Sequence, residues 1–349
     1  MVEDTVRVAI VGAGANTRLR HIPGFRAIDG VEIVGVVNQT EESTARAAQE
    51  LSIPKQYPDW QTLVCDDDVD AVMIGTWPNL HSEITCAALE AGKHVLTEAR
   101  MARNASEAHA MLKVAQAHPD LVAQIVPSPF GLEHESRMRQ LIEDGFIGDL
   151  REMVVVGAAD AFWDYTKPLH WRQDAEISGY NTLSLGIMHE TAMRWTSPTT
   201  RVFAQAATFE SKRPSRVGTD ILDVMVPDSL QVLTELSSGA RGLYHFSGID
   251  LFGPGHQIHL YGSRGTIKAK FNDGEQIFVG HAGDEDLTLL RVPKDQLGGW
   301  RVEAEFIGAI RGTEPVRLTD FESGVRYMEF TEAVHRSIQT NAPVNLPLA

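Results

Sequence analysis

The sequence is poor in several things, and each shortage excludes a class of protein. Only two cysteines, Cys65 and Cys86, occur in 349 residues, too few for a disulfide framework and in keeping with a reducing compartment. No apolar run approaches the roughly 20 residues that cross a bilayer. A strand-like run begins at Val6 with neither a basic stretch nor an apolar leader core before it, so the expected location is cytoplasmic. Basic residues are scarce beside acids, 31 against 47, and the net charge of −16 argues against a nucleic-acid or anionic-membrane partner. Zinc spacing, a nucleophile elbow and a Walker pattern are all missing. The acidic run Asp66-Asp67-Asp68-Val69-Asp70 lacks the glycine and terminal glutamate of a calcium loop, and His256 and His259 would point to opposite faces of a strand. No metal is expected. Small molecules and further copies of the chain remain as partners.

What is present is organised around the start of the chain. Residues 6–11 form a β-branched and apolar run, suited to a strand buried on both faces of a parallel sheet. Gly12 and Gly14 then permit a tight turn and close backbone approach. Asn16, Thr17 and Arg18 open a helix whose free N–H groups would face a phosphate. A second strand over 31–37 ends at Asn38, Gln39 and Thr40, where a dinucleotide fold meets the adenosine ribose. An acid here would bind the ribose 2′-hydroxyl and repel a 2′-phosphate. Asn38 does neither, so NADP is favoured over NAD by a small margin, with Gln39, Thr40 and Arg18 as its ligands.

Strand and helix signals continue to alternate, as in a doubly wound sheet. A helix is expected over 41–51, a strand over 71–75, a helix over 79–91, a strand over 94–96 and a strand over 121–126. Ligands bind beyond strand C-termini in such sheets, so the loops at Gly12, Asn38, Thr76, Glu98 and Pro127 converge on one crevice. Trp77, Pro78, Asn79 and His81 belong to the same cofactor side, as does Ala99. Further on, helices are expected over 134–144, 182–195, 302–311 and 321–338. Between them lie β-rich segments over 151–158, 201–209, 229–237, 242–247, 257–261 and 266–271, read as an antiparallel sheet.

These motifs together resemble the Gfo/Idh/MocA oxidoreductases. The resemblance rests on the glycine cradle, Thr76-Trp77-Pro78-Asn79-Leu80-His81 after a strand, and Gly92-Lys93-His94-Val95-Leu96 followed by Glu98. Later segments agree: 145–150, Trp171-Arg172 before Ser178-Gly179, 261–266, and 305–312. The resemblance implies an α/β fold: an N-terminal Rossmann domain over 1–128, then a substrate-binding and oligomerisation domain over 129–349 with a large, mostly antiparallel open sheet. It also implies NAD(P)-dependent chemistry on sugars, inositols or related polyols, and a homo-oligomer, dimer or tetramer, formed through one face of that sheet.

Two departures bear on catalysis. Family members carry Glu-Lys-Pro where this chain has Glu98, Ala99 and Arg100, so the ammonium group that assists proton transfer is missing. Glu98 can still bind a cofactor ribose, and Arg100 suits an anion clamp better than a general base. The family's aspartate and histidine on the following helix align with Ser184 and Met188, leaving His189 one position on. His189 or Tyr180 is then the expected proton acceptor. Asn181, Tyr165, His170, Trp171 and Arg172 are the candidate substrate residues, an aromatic beside a guanidinium suiting a polyhydroxylated or anionic ligand. Three readings stay open: a hydride-transferring dehydrogenase, an enzyme with tightly bound NAD(H) that uses transient oxidation for elimination or glycoside cleavage, and a non-catalytic cofactor-binding sensor.

Overall fold

The computed structural model describes residues 5–348, which divide into two compact units: 5–127 with Arg301–Val325, and Ser128–Trp300 with 326–348. The segment 301–325 thus packs with the N-terminal unit, although it follows the large sheet in sequence.

The first unit is built on six parallel strands, β1 (Val6–Val11), β2 (Val31–Val37), β3 (Lys55–Gln56), β4 (Ala71–Ile74), β5 (His94–Thr97) and β6 (Ala123–Ile125), in the order β3-β2-β1-β4-β5-β6. Val8, Ile10, Met73, Ile74 and Leu96 are fully buried, as the unbroken apolar runs require of a sheet covered on both faces. The strand order reverses direction between β1 and β4, which opens a crevice at their C-terminal ends. Residues 301–325 close the β6 edge: Ile125 donates its N–H to the Thr319 carbonyl at 3.0 Å, and Gln124 Nε2 donates to Glu305 Oε1 at 3.0 Å.

The second unit carries β7 (Leu150–Ala158), β8 (Thr199–Ala207), a separate hairpin of β9 (Lys212–Pro214) and β10 (Ile221–Asp223), β11 (Ser229–Leu236), β12 (Arg241–Ser247), β13 (Gly255–Gly262), β14 (Gly265–Lys270), β15 (Gln276–His281), β16 (Thr288–Leu289) and β17 (Val344–Asn345). Nine of these form one sheet, ordered β16-β15-β14-β13-β7-β12-β11-β8-β17, in which only β7 and β12 run parallel. Alternation decides its two faces. Val202, Ala204, Leu230, Val232, Tyr244, Phe246, Ile258 and Leu260 join Met138, Leu185 and Met188 in the core. On the other face Phe203, Leu233 and Leu243, which are cross-strand neighbours, are exposed.

Most expected elements are present, with shifted ends. The helix expected over 182–195 starts only at Leu185, because Leu183 adopts φ +49°, a left-handed conformation that no α-helix accommodates. The strand β15 was absent from the sequence reading. Among the described residues, no helix is long and apolar enough to cross a membrane.

Candidate functional site

The turn after β1 shows why both glycines are there, and for different reasons. Gly12 has φ +89°, and a Cβ on it would lie 2.9 Å from the backbone of Gly75 and Thr76, so the fold itself forbids a side chain. Gly14 would meet only the Gly75 carbonyl oxygen, at an ordinary 3.5 Å. Nothing within the chain excludes a side chain at Gly14. A pyrophosphate lying against the turn would exclude one, and the first-turn N–H groups of the helix that follows have no intrahelical acceptors. The loop therefore fits a pyrophosphate.

Several residues expected to meet that ligand are engaged inside the protein, a correction to the sequence reading. Thr17 is buried, donates to the Gly12 carbonyl at 3.1 Å, and fills the space a Cβ on Gly75 would need. Asn38 turns inward: its Oδ1 accepts the Ala13 N–H at 2.8 Å and its Nδ2 donates to the Ser43 carbonyl at 3.0 Å. Thr40 caps the helix Glu41–Leu51 by accepting the Ser43 N–H. His81 is fully buried and bridges the Thr76 carbonyl and the Arg100 carbonyl, bracing two loops. Arg18 donates through Nε to the Ala13 carbonyl and pairs with Glu50 at 2.8 Å, so its charge is already neutralised. Asn16, Gln39 and Trp77 are exposed, and Pro78 and Pro127 are buried. Ala99 contributes no polar side chain.

Glu98, at the end of β5, is the centre of the polar network in this unit. Its Oε1 accepts from Asn16 Nδ2 and lies 3.0 Å from His21 Nε2, and its Oε2 accepts the Ala99 N–H at 3.2 Å. Burial acts to raise the Glu98 pKa, but hydrogen bonding to His21, the His21 charge and Asn16 outweigh it and hold the group below its ordinary value. On the other side of the ring, His21 Nδ1 lies 2.6 Å from Glu303 Oε1. Burial opposes a charged His21, yet its bonds to Glu303 and Glu98 raise the pKa to about 9. Neither His21 nor Glu303 was singled out from the sequence, and only the folded helix marks the place. Residues 17–21 are wound as a π-turn, an inserted residue that commonly marks a functional site.

In the second unit His189 is corrected outright. It is 4% exposed, stacks on Phe330 with ring centroids 3.5 Å apart, and its Nδ1 meets the Tyr244 hydroxyl at 2.8 Å. Burial lowers its pKa to about 3. It is a neutral core residue, too weakly basic for a proton acceptor. Asn181 is buried too, its Nδ2 donating to the Ser178 carbonyl at 2.7 Å within a turn. Tyr180 is partly exposed and stacks on His335 at 4.0 Å. Tyr165 is 61% exposed, and the Arg172 guanidinium lies 4.2 Å over the Trp171 ring. His170 accepts the Arg172 N–H, and burial, with the charges of Arg172 and Arg216, lowers its pKa to about 4. Arg100 is buried.

Ser184, at the position of the family's aspartate, lies 3.0 Å from His256 Nε2, a pairing that sequence did not suggest. Glu133, His134 and Glu275 bring potential metal ligands within 4.8 Å of one another. The Glu275 oxygens already accept the N–H groups of Glu133 and His134, at the entrance to the helix Glu135–Glu143.

Comparison with known proteins follows this division. Residues 6–125 match the model described as oxidoreductase family, NAD-binding Rossmann fold, and residues 136–268 match the GFO/IDH/MocA C-terminal domain. The chain is similar to 4-carboxy-2-hydroxymuconate-6-semialdehyde dehydrogenase of Sphingobium sp., 36% identical over 111 residues, which covers 32% of this chain and 35% of that relative's length. It is similar along nearly its whole length to myo-inositol 2-dehydrogenase of Thermotoga maritima, 23% identical over 346 residues and 98% of each chain. Among solved structures, levoglucosan dehydrogenase in complex with NADH and levoglucosan shares the fold with a TM-score of 0.87 at 21% identity, over 99% of this chain and 100% of that one. Two models, one over the cradle and one over the large sheet, describe a single family, and this chain belongs to it: the Gfo/Idh/MocA NAD(P)-dependent oxidoreductases.

Proposed function

We propose that the protein transfers hydride between a nicotinamide cofactor and a sugar, inositol or sugar-like alcohol. The observation that carries this reading is Glu98: an ionised carboxylate, tethered through Oε1, at the end of a strand of the same sheet whose first turn has, at Gly14, a glycine that nothing within the chain requires. When bound, the cofactor supplies the hydride chemistry. The turn at Gly12 and Gly14 would hold its pyrophosphate, and Glu98 would accept hydroxyl protons of a ribose. The substrate class is supported by the names of the similar proteins, which act on inositol or bind levoglucosan. It is supported also by the Trp171–Arg172 stack, an apolar face edged with donors that suits a polyol ring.

The substrate hydroxyl must lose its proton to a side chain, and Ala99 and His189 are unable to take it. Tyr180 is the acceptor in this reading, and the Ser184–His256 pair is its rival. Arg18 is paired with Glu50 and Asn38 is turned inward, so the local charge no longer favours a 2′-phosphate; NAD and NADP should bind comparably. The exposed row Phe203, Leu233 and Leu243 supports assembly of two copies through the open sheet face. Incubation with NAD or NADP and a panel of sugars and inositols tests the reading, with accumulation of reduced nicotinamide as the expected result. Turnover of a glycoside with no net reduction would favour the tightly bound NAD(H) reading instead, which the missing ammonium at Ala99 makes a specific rival.

A further inference from the structure

The first unit buries a charged group that the proposed reaction does not use. His21 is fully buried, with one carboxylate on each ring nitrogen: Glu303 on Nδ1 at 2.6 Å and Glu98 on Nε2 at 3.0 Å. A neutral imidazole carries a single N–H and could donate to one of them, leaving the other to face a lone pair. An imidazolium donates to both. The geometry therefore selects the charged form, and the pKa raised to about 9 by the two carboxylates agrees with it.

We propose that His21 is a positioning residue for the nicotinamide cofactor: as an imidazolium anchored on Glu303, it keeps Glu98 ionised and fixes its Oε1, so that Oε2 is presented to the ribose diol. The proposal rests on the cofactor reading given above. Groups from each neighbouring element agree with it. Asn16, on the same helix, donates to Oε1; Glu303 comes from the first turn of the helix Val302–Ile310; and the His81 ring, on the helix Pro78–Glu90, has its pKa lowered by burial and so adds no competing step in the alkaline range. Glu303 is itself placed by the chain, since a Cβ on Gly24 would lie 2.6 Å from its Oε2. The π-turn over Thr17–His21 lets one helix serve both ends of the site, with Asn16 and His21 reaching a single oxygen of Glu98. Loss of the His21 proton would leave two carboxylates around a ring that can satisfy one, and Glu98 would lose its fixed orientation.

The test measures the dissociation constant of NADH by fluorescence from about pH 6.5 to 10.5 in the unaltered protein, His21→Gln and Glu303→Gln. The unaltered protein should hold a constant affinity to about pH 8 and weaken about tenfold as His21 deprotonates near pH 9. His21→Gln should bind about tenfold more weakly at neutral pH and show no alkaline step. Glu303→Gln keeps an acceptor for Nδ1 but removes a charge, so the step should move to lower pH. A merely structural histidine would lower affinity without abolishing or moving the step. Imidazole NMR of the ligand-free protein reads the same charge without cofactor and guards against a variant that fails to fold: His21 should stay protonated at pH 8. A His21 titration near 6.5, a flat affinity profile in the unaltered protein, or a step that persists in His21→Gln would each overturn the proposal while leaving the cofactor reading intact. Failure of the unaltered protein to bind NADH at any pH would overturn both.

Discussion

His21 and His189 are both buried, and they are chemical opposites. Burial pushes each toward the neutral form, so the difference comes from what surrounds the ring. Around His21 stand the carboxylates of Glu98 and Glu303, and the Asn16 amide shares with the ring one oxygen of Glu98. Around His189 are the rings of Phe330 and Tyr244 and a single hydroxyl. The first arrangement holds a charge next to loops that fit a nucleotide. The second glues a helix to a sheet. Burial of a histidine therefore says little about its role until its neighbours are named.

The largest expected effects separate the two settings. Gly14→Val should weaken cofactor binding by about 100-fold or more with the melting temperature nearly unchanged, since the side chain clashes with ligand rather than protein. Unchanged dinucleotide affinity in that variant would remove the cradle from the site. His189→Ala should do the reverse, costing about 3 kcal/mol of stability in denaturant titrations through the lost ring stack and the stranded Tyr244 hydroxyl, with cofactor affinity intact. If this variant stayed fully stable but lost turnover, the core assignment would be wrong.

Smaller effects appear in stability against pH, where the two histidines act on opposite limbs. His189 has a folded pKa of about 3, below the unfolded value, so its contribution is present above about pH 6.5 and is lost as pH falls toward 3. His21 has a raised pKa, so its contribution is complete below about pH 6.5 and is lost as pH rises through about 9. Melting curves should show His189→Phe flattening the acid limb and His21→Gln the alkaline one, and an exchange of those limbs would break the contrast. The smallest effect concerns the adenosine end: NAD and NADP affinities should differ by less than about tenfold, because Arg18 is neutralised by Glu50. Glu50→Gln should tilt the balance toward NADP, as titration of both cofactors would reveal.

The sequence made the first unit readable because its signals are local. A β-branched run followed by Gly12 and Gly14 can do little else, and alternating strands and helices imply the parallel order. What escaped it was long-range. His21 and Glu303 are 282 positions apart, and nothing in either segment announces the other. The inward turn of Asn38 depends on the Ala13 N–H beneath it, a partner no residue type specifies. His189 looked catalytic because it stands one position past the place of the family's histidine, whereas the left-handed Leu183 delays the helix and the ring lies against Phe330 in the core. Ser184 reads in sequence only as the place of a missing aspartate, and nothing local to it shows the His256 ring beside it, 72 positions away.

The return of residues 301–325 to the first unit has a consequence for how the protein is made. When Pro127 leaves the ribosome, all six parallel strands exist, but the β6 edge lacks its cover at Thr319 and Asp320, and His21 lacks Glu303. From 127 to 319 is 192 residues, roughly 10 to 40 seconds of synthesis at ordinary rates. For that interval the nascent unit carries an open strand edge, the feature that invites pairing with other chains. Its completion waits on almost the whole of the second unit, so the turn at Gly12 and Gly14, synthesised before that unit, belongs to a unit completed only after it.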